Sequence, residues 1–307
     1  MINNIIYIFL NVLSFFINLI PLELRIKFFK CLIITATLFV PRLKKIALVN
    51  LKIVFPNLTK QQHINILKAN YESLALFLVD LFRLPLLDDK WFDENIEVVG
   101  LDEYKKLKSK YPDKGILFLT GHFGSLELLG QCVGHFMEPI DFVARDLKPE
   151  GLDRWWNKRR EVRGNDLIKR QGAVNNIIRK LVRGRSVGIV FDQNIIRKYA
   201  IFIDWFGKSA ATTMTVSKIA LQFKCPICIV NLYALPSRKY RFKIVVNDNT
   251  DIYETQGVDD LAKGYLVTER AVRVYEKLIL ESPSEWFWFH RRWKTALTDE
   301  QDNLLYR

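Results

Sequence analysis

From about residue 96 the chain alternates short apolar runs with stretches of helical periodicity, and few architectures accept that pattern. "GILFLT" (115–120), "DFVA" (141–144), "SVGIVFD" (186–192), "CIVNLYAL" (228–235) and "RFKIVV" (241–246) read as strands. Stretches near 125–136, 152–162, 173–184, 213–223 and 259–281 read as helices between them. Strand–helix alternation predicts an α/β fold, with a central mixed, largely parallel sheet flanked by helices. Sites in such sheets gather beyond the carboxyl ends of the strands.

The first 95 residues follow another rule. No charged side chain occurs from Met1 to Leu22, although Asn3, Asn4, Asn11 and Asn18 fall in or beside the run. That length suits a membrane anchor spanning the bilayer, with a helix lying in the interface or packed in a core as the alternatives. A signal peptide fits less well, because there is no basic start and no small-residue cleavage site. Arg25, Lys27, Lys30, Arg42, Lys44 and Lys45 follow, which places that side at the cytoplasmic face. The next apolar run, "CLIITATLFVP" (31–41), is too short to span unaided, and 43–84 reads as helices with an N-cap at Asn57 or Thr59. His63 reads as an exposed helix residue. The expected division is a membrane anchor over 1–22, a helical membrane-proximal region over 23–95, and an α/β domain over 96–307.

Charge and cysteine content narrow the partners. The formal net charge is +13, which favours an anionic partner without choosing among nucleic acid, lipid surface and acidic protein. Cys225 and Cys228 form a lone C-x-x-C, with no second pair to complete a zinc site, and read as strand cysteines. No metal or other cofactor is implied.

The chemistry centres on "GHFGSLELLG" (121–130). His122 lies two residues beyond a strand end, in a turn that Gly121 and Gly124 permit, with Ser125 near the N-cap of the next helix. Positions five apart on one helix diverge by about 140°. With His122 in the turn, however, Glu127 can reach back to one ring nitrogen and raise the basicity of the other. The helix N-terminus beside them offers donors for an oxyanion or a phosphate. H-x-x-x-x-E alone also fits a satisfied histidine with an unrelated glutamate.

Ordered blocks give that motif its context. "GHFGSLE" resembles the signature of the lipid A late acyltransferases, the lauroyl and myristoyl transferases within the H-x4-D/E acyltransferase superfamily. "NLKIVFPNLT" (50–59), "RDLKPEGLDRWWNKRREVRGNDLI" (145–168), "GRSVGIVFDQN" (184–194), "WFGKSAATT" (205–213) and "EWFWFHRRWKT" (285–295) resemble further family blocks in order. The resemblance covers nearly the whole chain and implies a glycerol-3-phosphate acyltransferase-like fold. It makes His122 the general base and Glu127 its partner. Arg145, Arg163 and Asp192 become site residues, and Gln193 joins them. Phe206, Gly207 and Thr212 offer either the floor of an acyl pocket or close helix packing. One departure is Lys148-Pro149, where the family commonly has Asn-Pro. With that resemblance, Trp286, Trp288 and Trp293, with Arg291 and Arg292, read as a membrane-interface belt; without it they read as a half-buried core edge.

The implied function is acyl transfer from a thioester, on acyl carrier protein or coenzyme A, to a hydroxyl of a lipid A precursor at the cytoplasmic face of the bacterial inner membrane. An alternative acceptor is another glycolipid, such as a phosphatidylinositol mannoside, or a lysophospholipid. A basic, non-catalytic membrane- or nucleic-acid-binding protein is the reading from another class. It lacks any helix-turn-helix, RNP-like or zinc-finger pattern and leaves the His–Glu pair unexplained. A serine hydrolase lacks its G-x-S-x-G elbow. Nucleic acid is therefore not expected as a partner.

Overall fold

A computed structural model describes residues 1–169 and 172–306. Four helices lead: α1 (Ile2–Leu19), α2 (Leu22–Phe39), α3 (Pro41–Val54) and α4 (Lys60–Arg83). Pro41 opens α3, where its missing N–H is not needed. Thr59 opens α4 with a capping box: its hydroxyl accepts from Gln62 N, and the Gln62 side chain accepts from Thr59 N. The short apolar run at 31–41 is the second half of α2, which packs on α4 through Ile26 and Phe29.

The α/β part begins with α5 (Asp89–Asn95), β1 (Ile96–Val99), α6 (Leu101–Lys110), β2 (Leu117–Thr120) and α7 (Leu126–Phe136). It continues through β3 (Ile140–Ala144), α8 (Glu150–Arg160), β4 (Asp166–Lys169), α9 (Ala173–Val182) and β5 (Ser186–Val190). A hairpin, β6 (Ala200–Trp205) and β7 (Lys208–Thr213), precedes α10 (Thr215–Phe223), β8 (Ile227–Ala234), β9 (Tyr240–Asn247), α11 (Thr250–Glu254) and α12 (Asp260–Glu281).

Among the described residues the main sheet has seven strands in the order β1-β9-β8-β2-β5-β3-β4. Every neighbouring pair is parallel except β8–β9, so the sheet is mixed and largely parallel, as expected. The strongly apolar strands were legible. The four-residue β1 and β4 were not, because "IEVV" and "DLIK" are too short to set a period. The β6–β7 hairpin also departs from expectation: "WFGKSAATT" does not run directly into a helix. Phe206 and Gly207 form its two-residue turn, both with positive φ (52° and 75°), as a type I′ turn requires.

Two further expectations are corrected. Trp286, Trp288 and Trp293 are not an interface belt but lie in the core, at most 4% exposed, beside Trp205 and Tyr275. Arg292 is buried with them, donating to Ala211 O and Thr212 Oγ1 and stacking on Trp205. His63 is buried too, and its Nε2–H donates to Phe55 O across the α3–α4 link. Cys225 and Cys228 are buried, as expected of ordinary core cysteines, and burial pushes both thiols up to about 12.

Candidate active site

Strand pairing builds the centre. β2 and β5 are parallel neighbours with Thr120 opposite Val190, so the chain reaches His122 and Asp192 at matching positions two residues later. Asp192 accepts two hydrogen bonds from His122: the backbone N–H reaches Oδ2 at 2.9 Å and the ring Nδ1–H reaches Oδ1 at 2.8 Å. That assigns the ring proton to Nδ1 and leaves the Nε2 lone pair outward, where the Gln193 amide donates to it at 3.1 Å. The His122 side chain is 36% exposed and Asp192 is 1% exposed. Gly121 makes this approach possible, since a Cβ there would stand 2.1 Å from Tyr275 Oη and 2.8 Å from Asp192 Cγ.

A second segment clamps the turn from behind. Gly124 N–H donates to Glu285 O, and Phe287 N–H donates to His122 O. Phe123 bridges Trp286, whose indole Nε1–H donates to Asp192 Oδ2 at 2.8 Å. His290 Nε2 accepts the backbone N–H of Asn194. The clamp is in turn held by the leading helices: Asn50 donates to the carbonyls of Trp288 and His290, and Asn70 to those of Ser284 and Trp286. These buried amides satisfy carbonyls that have no sheet partner.

The electrostatics follow from these contacts. Burial works against a charge on Asp192, yet the His122 ring, then His290 and the Trp286 indole, outweigh it and hold the carboxyl at about 2. Burial likewise disfavours an imidazolium at His122, but the Asp192 carboxylate more than offsets this and raises its pKa. His290 goes the other way: burial, opposed by Asp192 but reinforced by Arg292 and His122, holds it neutral with a pKa of about 3.

Glu127 does not reach His122 as expected. Its carboxylate accepts from Arg160 Nε (2.9 Å) and Nη2 (2.6 Å) and from the Trp156 indole (2.7 Å), all on α8. Glu127 sits in the first turn of α7, on the face toward α8, and the orienting carboxylate of His122 is Asp192 instead. Ser125 occupies the N-cap position without a side-chain cap bond, and its buried Oγ has no partner.

Beside the pair lies a narrow apolar slot under α7, open at its mouth, with a cavity volume of about 90 Å³. Phe118, Leu129, Val133, Ile140, Phe142 and Val230 line it, and Gly130 and Gly188 keep it open. Thr120 and Val190 reach it two residues before His122 and Asp192, and Glu127 and Arg160 lie on its wall.

The remaining expected residues separate. Arg145 is exposed at the end of β3, in a cleft shared with Lys148, Asp153 and Lys169. Arg163 is bound to Asp89 and His135 and stacks on Phe92, at the far end of α7 from His122. An 11-residue helix of about 16 Å separates it from His122. His135, which had no carboxylate at a suggestive sequence spacing, meets Asp93 across the fold at 2.9 Å. Thr212 is fully buried, accepts from Trp205 and Arg292 and donates to Ala210 O, so its hydroxyl is committed to the core. Phe206 and Gly207 form the hairpin turn, with Phe206 N–H tied to Glu276 on α12. Sequence reasoning missed Trp286 as a ligand of Asp192 and Arg160 as the partner of Glu127. The one signal for Arg160 was its place in the basic run 158–160.

Comparison with known proteins adds ancestry to this geometry. Residues 2–295 match the model of the family described as bacterial lipid A biosynthesis acyltransferase. The chain is 24% identical over 266 residues to the lipid A biosynthesis palmitoleoyltransferase of Escherichia coli, covering 85% of this chain and 82% of that one. It is 24% identical over 259 residues to the lauroyltransferase of the same organism, covering 84% and 81%. A phosphatidylinositol mannoside acyltransferase of Mycolicibacterium smegmatis is 19% identical over 241 residues, covering 77% and 75%.

Proposed function

Because the chain belongs to the bacterial lipid A biosynthesis acyltransferase family, we propose that His122, oriented by Asp192, moves an acyl group from a thioester to a hydroxyl of a lipid A precursor. The observation that carries this reading is a partly exposed imidazole with its Nε2 lone pair outward, its Nδ1–H on a buried carboxylate, and an apolar slot alongside. The acceptor hydroxyl replaces the Gln193 amide at Nε2 and gives up its proton there. Its oxygen attacks the thioester carbonyl, the C–S bond breaks, and the departing thiolate takes the proton from the imidazolium. Asp192 stabilises that imidazolium. No covalent acyl-enzyme forms and no metal takes part. The first turn of α7, with Ser125 Oγ, supplies donors to the developing oxyanion. The slot takes the acyl chain, and the Glu127–Arg160 pair fixes its polar wall. Arg145 and the lysines of its cleft suit the phosphates of the glycolipid.

The donor in this reading is acyl carrier protein, whose acidity matches a net charge of +13. The enzyme works at the inner membrane with its α/β part facing the cytoplasm. The mycobacterial relative supports a second acceptor class, phosphatidylinositol mannosides. Mass spectrometry of reactions with purified wild type and His122→Ala decides among these. Each receives a tetraacylated lipid A precursor and a panel of acyl carrier protein and coenzyme A thioesters. An added acyl mass with wild type alone supports the reading. No product from folded protein moves the acceptor to other glycolipids, and failure with those as well ends the catalytic reading.

A further inference from the structure

α1 carries no charge, yet it has a polar edge, and that edge is already occupied by the catalytic part of the chain. Asn3, Tyr7, Ser14 and Asn18 recur at the spacing of one helix face. Asn3 donates to Glu150, and Tyr7 lies under the guanidinium of Arg154, 4.3 Å from its ring centre. Ser14 accepts from Arg159, and Asn18 donates to Phe82 O at the end of α4. Backbones meet closely at the crossing: a Cβ on Gly151 would stand 2.2 Å from Asn3 O. From Asn3 to Asn18, then, α1 is fixed along α8 and α4.

The opposite face is bare. Ile5, Phe9, Val12, Phe16 and Leu19 are between 48% and 66% exposed, and Leu24, Phe28 and Leu32 of α2 are exposed as well. By length and composition α1 could cross a bilayer. A spanning helix, however, needs hydrocarbon along some 30 Å of its length. α8 lies alongside and would carry exposed Arg154 and Lys158 into the same layer, where a charged side chain is strongly disfavoured. Lying flat avoids this: the apolar face enters the acyl region while the two cations stay level with the phosphates.

We propose that α1 is a monotopic docking surface, held in the plane of an anionic bilayer by its polar seam on α8, and does not span the membrane. The lipid surface is chosen over a protein partner because the bare face lacks charge while basic side chains border its covered edge. This holds whichever acyl acceptor is used. It also sets the height of the active site, since α8 supplies both the seam and the Arg160 and Trp156 contacts to Glu127.

The test uses full-length protein in vesicles of phosphatidylethanolamine and phosphatidylglycerol. Cys31→Ser removes the exposed thiol, and the other three cysteines are buried. Ile5→Cys, Phe9→Cys, Val12→Cys and Phe16→Cys each carry an environment-sensitive fluorophore, quenched by lipids bearing nitroxides near the headgroup or near the chain end. All four positions are expected at one shallow depth, quenched most by the headgroup-proximal label. A profile with Phe9 and Val12 deepest and both ends shallow shows a spanning helix and overturns the proposal. Absence of lipid quenching at all four, as when a second copy or another protein covers the face, overturns it too. Leu10→Cys, on the half-buried side, is expected to escape quenching and to gain it when Gly151→Val forces the helices apart. If Leu10 is quenched as strongly as Phe9 without that change, the seam does not exist.

Discussion

Two buried carboxylates flank the same turn, and their partners make them different tools. Asp192 faces an imidazole and an indole, Glu127 a guanidinium and an indole. An imidazole changes charge near neutral pH, so the carboxylate beside it controls a proton. A guanidinium keeps its charge, so the carboxylate beside it controls only position. Sequence proximity to the base therefore misassigns Glu127. The carboxylate that holds the His122 ring lies just beyond β5, 70 positions away.

The predictions attack that difference in order of size. His122→Ala removes the base and is expected to lower kcat by about 10³-fold or more, read as acylated product over time. Asp192→Asn keeps the shape but loses the carboxylate, and kcat is expected to fall by about 10²–10⁴-fold with KM little changed. Glu127→Gln loosens Arg160 at the slot wall. It is expected to raise KM about tenfold and leave the pH dependence of kcat/KM unaltered; a kcat loss equal to that of Asp192→Asn would mean that the two carboxylates do not differ in role. Trp286→Phe removes one donor from Asp192 while keeping the ring, for a few-fold loss in kcat. Its pH midpoint should move only slightly, because the His122 contacts remain.

The smallest effect is on stability. Burial, only partly relieved by Ser73, raises the Glu285 carboxyl to about 7 behind the His122 turn. Its folded pKa lies above the ordinary 4.5, so the folded state holds the proton more tightly and stability falls as pH rises from 4.5 through 7. Glu285→Gln keeps an acceptor for Ser73 and removes the ionisation. Urea unfolding should find it more stable above pH 7 by about 3 kcal/mol and unchanged at pH 4.

The sheet was legible because its buried strands are near-continuous apolar runs, and Asp192 was legible as a carboxylate ending one of them. What joins Asp192 to His122 was not legible, because sequence does not show that β2 and β5 are neighbours in register. The same limit hid the Trp286 contact, which needs the 284–290 segment folded back over the turn. Arg163 and Thr212 sit in motifs that resemble the family's, but a motif shows that a residue is present and not where its side chain ends. Arg163 packs on Phe92 and Thr212 is enclosed by Trp205 and Arg292. The tryptophans of "EWFWFHRRWKT" matched a belt by composition, whereas their burial is a property of the fold.

The most direct test of the His122–Asp192 pair is the pH dependence of kcat/KM for wild type, Asp192→Asn and Glu127→Gln. In the proposed mechanism the neutral imidazole is the active form, and Asp192 raises its pKa above the ordinary 6.5. Wild-type activity should therefore climb with pH through a midpoint above 6.5. Asp192→Asn removes the raising influence and leaves burial, so its midpoint should fall below 6.5, while Glu127→Gln keeps the wild-type midpoint. A midpoint that moves with Glu127→Gln and stays put with Asp192→Asn would contradict the His122–Asp192 pairing and make Glu127 the partner of His122.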